Sequence, residues 1–159
     1  MFRSTTFLLA SLFIAAGARS AADAPVPLEP LRQEDIAPGC RCSFSLQPQS
    51  DPTVPAVFAL DLASGEGLVR IDGTLVRLTR MSSKDVKKHE RRDSVGDRHT
   101  ETWASGSTEL TFKYKTAFVC PEADSTCART DYEGQITFTN GSTKQPLAVW
   151  GSCWCPSGA

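Results

Sequence analysis

The chain has 159 residues, with 17 lysine and arginine residues against 18 aspartate and glutamate residues, and a formal net charge of −1. This length is large enough for one hydrophobic core and small enough to benefit from covalent cross-links. The slight acidic excess argues against a nucleic-acid-binding protein and favours weak attraction to a basic partner.

The first 22 residues are predicted to be a signal peptide. Arg3 precedes an uncharged run at 7–16 (FLLASLFIAA) and small residues up to Ala22, which is the pattern of a secretory leader. Cleavage after Ala18 fits as well. The run is about half of the ~20 residues that a spanning helix needs, so no stable membrane insertion is expected. Losing Arg3 and Arg19 would leave fifteen basic against eighteen acidic residues, a net charge of about −3.

Residues 23–37 are predicted to form a proline-rich linker. Prolines at 25, 27 and 30 fix φ and remove backbone donors, which favours an extended tether. The folded domain is then expected to comprise residues 38–159.

Six cysteines follow in three groups, and their even number in an exported chain predicts a disulfide framework, for which fifteen connectivities are possible. Residues i and i+2 of a strand project from one face, so a bridge within either C-x-C group would be strained. We therefore expect pairing between the first and last groups. An antiparallel arrangement gives Cys40 with Cys155 and Cys42 with Cys153, and leaves Cys120 with Cys127. The competing interpretation is a structural zinc site built from the four C-x-C thiolates.

Between the cysteines the hydrophobic pattern has a period of two. The clearest stretch is 68–80 (LVRIDGTLVRLTR), in which Asp72-Gly73 predicts a tight hairpin turn. A strand at 56–62 precedes this hairpin through a turn at 64–67. Together these elements predict a three-stranded meander.

The second half repeats this pattern. Pro146 delays the predicted start of the last strand to Leu147, after an Asn140-Gly141 turn. About eight strands are expected, so the fold class is all-β: a small antiparallel, roughly eight-stranded barrel or compact sandwich, stapled by disulfides. The further predicted strands cover 42–46, 100–104, 109–119, 134–139 and 147–154.

The segment 82–100 is densely charged and is predicted to be a solvated loop, or alternatively a contact loop. It holds both histidines, His89 and His99, and neither lies in a catalytic or metal-binding motif. G-x-S-x-G does not occur. The chain is therefore expected not to be an enzyme and to need no cofactor or metal.

The three tryptophans, Trp103, Trp150 and Trp154, are expected to fill the core or cover its ends. The alternative is that they form a ligand platform.

The run Gly65–Arg80 (GEGLVRIDGTLVRLTR), followed by a Ser-Gly turn and a lysine-bearing strand, resembles the bacterial periplasmic and membrane-bound inhibitors of c-type lysozyme. Members of that family are small eight-stranded barrels whose Ser-Gly loop and lysine-bearing loop enter the lysozyme cleft. The resemblance implies an inhibitory surface at Ser105 and Gly106, and at Lys113 or Lys115. The family's Ser-Gly-x-x-Tyr pattern is absent, because Ser-Thr-Glu follows Gly106.

We therefore expect a periplasmic or secreted binding protein that inhibits a lysozyme-like peptidoglycan hydrolase by steric occlusion, as a defence or immunity factor. Its partner would be a protein and not a nucleic acid. The alternative is a structural or envelope-associated module, or a secreted effector, without inhibitory activity.

Overall fold

A computed structural model describes residues 28–36, 38–48, 54–87, 93–124, 126–140 and 143–155. The predicted signal peptide and residues 23–27 lie outside this set. Within it the chain is all-β, with a single 3-10 turn at Gln33–Asp35 and no helix that has the length and apolar character for crossing a membrane. The strands are β1 Leu28–Glu29, β2 Arg41–Ser45, β3 Phe58–Asp61, β4 Glu66–Ile71, β5 Thr74–Val86, β6 Arg98–Ser105, β7 Thr108–Val119, β8 Arg129–Asn140 and β9 Thr143–Trp154.

Strands β2 to β9 close into an antiparallel barrel. Each strand pairs with the next along the chain, and β9 returns to pair with β2. The prediction of an eight-stranded antiparallel barrel is confirmed. The hairpin turns after β4, β6 and β8 lie at one end, here called the turn end, and the connections after β3, β5 and β7 lie at the other, here called the mouth.

The seam between β2 and β9 carries two of the three disulfides. Cys42 lies directly opposite Cys153 in the ladder, and their Cα atoms are 3.8 Å apart. Cys40 bonds to Cys155 with a Cα separation of 4.1 Å, and Cys120 bonds to Cys127 in the connection after β7. All three predicted pairs are confirmed. Since no cysteine is free, the zinc interpretation is wrong.

The barrel interior is filled by aromatic rings from alternating positions. The rings of Phe44 and Phe112 meet edge to face with centroids 4.5 Å apart, and Phe58 contacts Trp103 at 5.8 Å. Trp103 is fully buried, so its predicted place in the core is confirmed. Rings of this size supply most of the apolar area that a small barrel can bury.

Two local predictions meet different outcomes. The Asp72-Gly73 hairpin is confirmed, with φ of 48° and 75° at these residues, as a tight turn between twisted strands requires. Strand β9, however, begins at Thr143 and not at Leu147, and Pro146 pairs with Thr137 of β8. Within the described residues, β2 pairs only with the later part of β9, so the proline lies on an edge, where a missing donor is tolerated.

The charged segment is not a loop over its whole length. Strand β5 runs on to Val86, and Ser82 to Val86 pair with Thr102 to Arg98 of β6. This extension projects past β4, whose ladder with β5 ends at Thr79. Residues 82–86 of β5 are exposed on both faces, so this part of the strand needs no apolar alternation, and the sequence pattern missed it. His89 lies outside the described residues.

The linker prediction is wrong for residues 28–36, here called the N-terminal strap. Strand β1 pairs with Arg70 and Ile71 of β4, on the edge that β3 uses further along that strand. The folded region therefore includes residues 28–36 and does not start at residue 38. The prolines indicate an extended segment, and an extended segment can be either a tether or an added strand. The sequence therefore did not predict the pairing of β1 with β4.

The strap covers an apolar patch on the outside of the barrel. Leu31 packs with the outward-facing Ala59 and Leu68, and its backbone N–H donates to the Ala56 carbonyl at 2.7 Å. The Asp35 carboxylate accepts two hydrogen bonds from Arg70 Nη2, at 2.6 and 2.8 Å, and one from Nε at 3.1 Å. The two side chains are only 6% and 8% exposed, so this ion pair fastens the strap.

Candidate functional site

At the barrel mouth, a carboxylate, an imidazole and a hydroxyl lie in a row, each within hydrogen-bond distance of the next. His99 Nδ1 lies 3.0 Å from Asp85 Oδ1, and His99 Nε2 lies 3.2 Å from Thr116 Oγ1. The pairing of β5 with β6 sets Asp85 directly opposite His99. In hydrolases this order lets the carboxylate orient the imidazole, which takes the proton of a nucleophilic hydroxyl.

The Thr116 hydroxyl is enclosed, so the arrangement does not present a nucleophile. Thr116 is 1% exposed and His99 is 6% exposed. The Thr116 backbone accepts from Gly96 N–H at 2.8 Å and donates to Asp97 at 2.9 Å, which holds the connection after β5 against β7. The Tyr114 ring stacks on His99 with centroids 4.8 Å apart. The expectation that His99 is a solvated loop residue is therefore wrong: it ties three strands together.

Other polar groups complete the mouth. Tyr132 donates its hydroxyl to Asp93 at 3.2 Å, and Asp93 pairs with Lys87 at 2.7 Å. Burial, reinforced by nearby carboxylates, raises the pKa of both Tyr114 and Tyr132 well above the usual 10.0. The two phenols are thus neutral at physiological pH and contribute to the packing of the mouth. Among the described residues, no three His, Cys, Asp or Glu side chains are grouped to hold a metal ion.

The structure separates the four residues of the inhibitory surface implied by the resemblance. Ser105 and Gly106 are exposed in the turn between β6 and β7, where Gly106 has a φ of 58°. Lys113 and Lys115 lie in the middle of β7, not at its end, opposite Thr100 and Arg98. At about 3.4 Å per residue, Lys113 is about 17 Å from the start of β7 and Lys115 is about 24 Å from it. The turn and the lysines are therefore two surfaces.

The two lysines line a groove of about 560 Å³ that crosses four adjacent strands. Most of its lining residues, among them Arg98, Glu133 and Trp150, occupy outward-facing strand positions, and the core residues Tyr114 and Val149 also contribute to it. The groove therefore opens on the outer face. Gly134 lies at its centre, where a Cβ would collide with the Lys113 carbonyl oxygen. Only glycine permits this close approach of β7 and β8.

Trp154 does not fill the core or cover it. Its surface is 46% exposed, and it projects from the same outer side of β9 as the half-buried Trp150. The sequence did contain a signal for this. Because Cys153 had to point into the seam, its neighbours along the strand had to point outward.

Comparisons with protein-family models, with curated proteins and with solved structures give no match to this chain.

Proposed function

We propose that this chain is an exported, non-catalytic binding protein that occludes the active-site cleft of a lysozyme-like peptidoglycan hydrolase. The observation that carries this proposal is the exposed Ser105-Gly106 turn on a rigid, cross-linked barrel. A turn between two paired strands is convex and preorganised, so it can enter a concave cleft without a large ordering cost.

The chemistry of the barrel supports binding over catalysis. Among the described residues, the Asp85–His99–Thr116 row is the one carboxylate–imidazole–hydroxyl arrangement identified, and its Thr116 hydroxyl is buried. Three disulfides fit an extracellular or otherwise oxidising compartment, where peptidoglycan hydrolases act.

The turn is the proposed contact with the hydrolase, and it does not depend on Lys113 and Lys115, which lie about 17 and about 24 Å along β7 from its start. Glycoside hydrolases place a pair of carboxyl groups around the scissile bond. A neutral Ser-Gly-Ser turn can approach these groups and accept or donate hydrogen bonds without burying a like charge.

The test is inhibition of a c-type lysozyme and of a panel of bacterial peptidoglycan hydrolases, measured as cell-wall lysis together with complex formation by surface plasmon resonance. Ser105→Glu should weaken inhibition by at least about tenfold, because like charges would meet in the cleft. Ser105→Lys should retain inhibition. Thr74→Glu, beside another hairpin turn at the same end, is the matched control and should also retain it.

Absence of any complex across the panel would contradict the proposal. Equal inhibition by Ser105→Glu and the wild type would show that the turn is not the contact.

A further inference from the structure

The outer face formed by β2, β9, β8, β7 and β6, here called the tryptophan face, carries two tryptophans on one strand. Trp150 and Trp154 are four residues apart, so they project from the same side of β9 at a spacing of about 14 Å. Trp154 is 46% exposed. Tryptophan is enriched at contact sites because its ring is apolar and its N–H is polar, so two indoles on one outer face indicate a contact site.

Basic residues surround both indoles. The register places Arg41 and Arg129 directly opposite Trp154 on its two sides, and the Arg41 guanidinium lies 6.0 Å from the indole centroid. Beyond Trp150 the ladder continues through Glu133 and Lys115 to Arg98. The six basic residues of this face are Arg41, Arg98, Lys113, Lys115, Arg129 and Lys144.

Two of the three acidic residues of the face, Glu133 and Asp131, are paired within it, and the third, Glu109, is exposed at the start of β7. Glu133 pairs with Lys115 at 2.5 Å. Asp131 accepts from Arg129 at 3.1 Å and from Ser152 at 2.6 Å. The face therefore has six basic residues against three acidic ones, on a chain whose overall net charge is −1. This asymmetry selects an anionic partner.

The groove gives the face a concave part. Its volume of about 560 Å³ lies within the roughly 300–1,000 Å³ of small-ligand sites. Gln135 and Thr100 add neutral hydrogen-bonding groups between the cations. An occupant must therefore offer flat apolar faces for the indoles, hydroxyl groups for the neutral side chains and spaced anionic groups for Arg and Lys.

From this combination we infer that the tryptophan face binds a carboxylated polysaccharide strand. The indoles stack on sugar rings, and the guanidinium and ammonium groups pair with the carboxylates, for which arginine offers a bidentate geometry. A single-stranded nucleic acid would also stack and would also supply anions. The disulfides fit an oxidising compartment, where acidic glycans are the commoner polymer, so the polysaccharide is the favoured occupant.

The inference is tested by isothermal titration of the disulfide-bonded protein with polygalacturonate oligosaccharides, using neutral dextran oligosaccharides and single-stranded DNA as comparison ligands. We expect binding to polygalacturonate that weakens with added salt. Trp154→Ala and Lys113→Ala should each weaken it by at least about fivefold. The matched controls are Met81→Ala, which removes an exposed apolar side chain elsewhere (66% exposed), and Arg77→Ala, which removes an exposed cation elsewhere; both should bind as the wild type does.

Equal affinity for dextran, equal or tighter binding of DNA, or an unchanged affinity in Trp154→Ala would overturn the inference. Both affected residues are exposed, and an unchanged melting temperature would show that the variants are folded. The site is independent of the proposed hydrolase contact: Ser105→Glu should bind the polysaccharide normally, and Trp154→Ala should inhibit a hydrolase normally. Failure of one proposal is thereby distinguished from failure of the other.

Discussion

Two outer faces of the barrel differ in whether another segment of the chain covers them. The face over β3 and β4 is apolar at Ala59 and Leu68 and is covered by the N-terminal strap, which the Asp35–Arg70 ion pair fastens. The tryptophan face, which begins at β2 beside β3, carries exposed Trp154 and a basic groove and is uncovered within the described residues. The covered face should therefore contribute to stability, and the uncovered face to binding.

The largest expected effect concerns the seam between β2 and β9, which closes the barrel within the tryptophan face. Replacing all four of its cysteines with serine should lower the free energy of unfolding by about 4–5 kcal/mol, since each bridge closes a loop of more than a hundred residues. Removing Cys120–Cys127, with its sequence separation of 7, should cost only about 2–3 kcal/mol. Urea unfolding measures both. Either seam bridge alone should cost much less than the pair, because the other keeps nearly the same loop closed.

The second effect compares the faces directly. Leu31→Ala should destabilise the fold by about 2–3 kcal/mol, because it opens a cavity beneath the strap. Trp154→Ala should change the free energy of unfolding by no more than about 0.5 kcal/mol, as exposed substitutions usually do. A Trp154→Ala variant as unstable as Leu31→Ala would mean that the uncovered face is part of the core.

The third effect is the pH dependence of the strap. Hydrogen bonds from Arg70, and then from the Arg32 N–H, hold the pKa of Asp35 below its ordinary 3.8. The ionised carboxylate therefore stabilises the fold above pH 3.8, and this contribution is lost as the pH falls through the lower folded-state pKa. Asp35→Asn should melt below the wild type at neutral pH, and the gap should narrow under acid.

Some acid sensitivity should persist in Asp35→Asn. Asp61 and Asp124 also have lowered pKa values, because each carboxylate accepts hydrogen bonds from its own turn. A gap in melting temperature that stays constant between neutral and acid pH would contradict the role of the Asp35 carboxylate.

The smallest expected effect is the ionisation of the two tyrosines at the mouth, which shows whether the mouth is closed to solvent. Tyr114 and Tyr132 are the only tyrosines of the chain, so tyrosinate absorbance reports on them alone. Since burial raises the pKa of both, native protein should show no tyrosinate near pH 10.0. Stability should fall as the pH rises above this unfolded-state value. Tyrosinate that forms near pH 10.0 without unfolding would show an open mouth and a third accessible surface.

Much of the fold was predictable because its signals are local. The alternation around Asp72-Gly73 and the two C-x-C groups specify a hairpin and a seam from residues close in sequence. The strap and the β5 extension were missed for opposite reasons. The strap is proline-rich, which is typical of a linker, although it packs on the outside of the barrel. The β5 extension has no buried face and therefore lacks the apolar alternation by which a strand is recognised.

The candidate sites were less predictable, because a site depends on register across strands. Lys113 and Lys115 were correctly placed on a strand, but their neighbours Arg98, Glu133 and Trp150 come from three other strands. The spacing of these residues along the sequence does not predict that they lie side by side across the sheet. The separation of about 17 to 24 Å between the start of β7 and the two lysines was accessible from strand length alone.

The difference between the two faces is tested most directly by amide chemical-shift mapping of the folded protein during titration with polygalacturonate oligosaccharides. We predict shifts concentrated around Trp150, Trp154 and Lys113 on β9 and β7, with the strap residues around Leu31 unchanged. Shifts confined to the strap and β4, or to the mouth around His99, would contradict the assignment of binding to the tryptophan face.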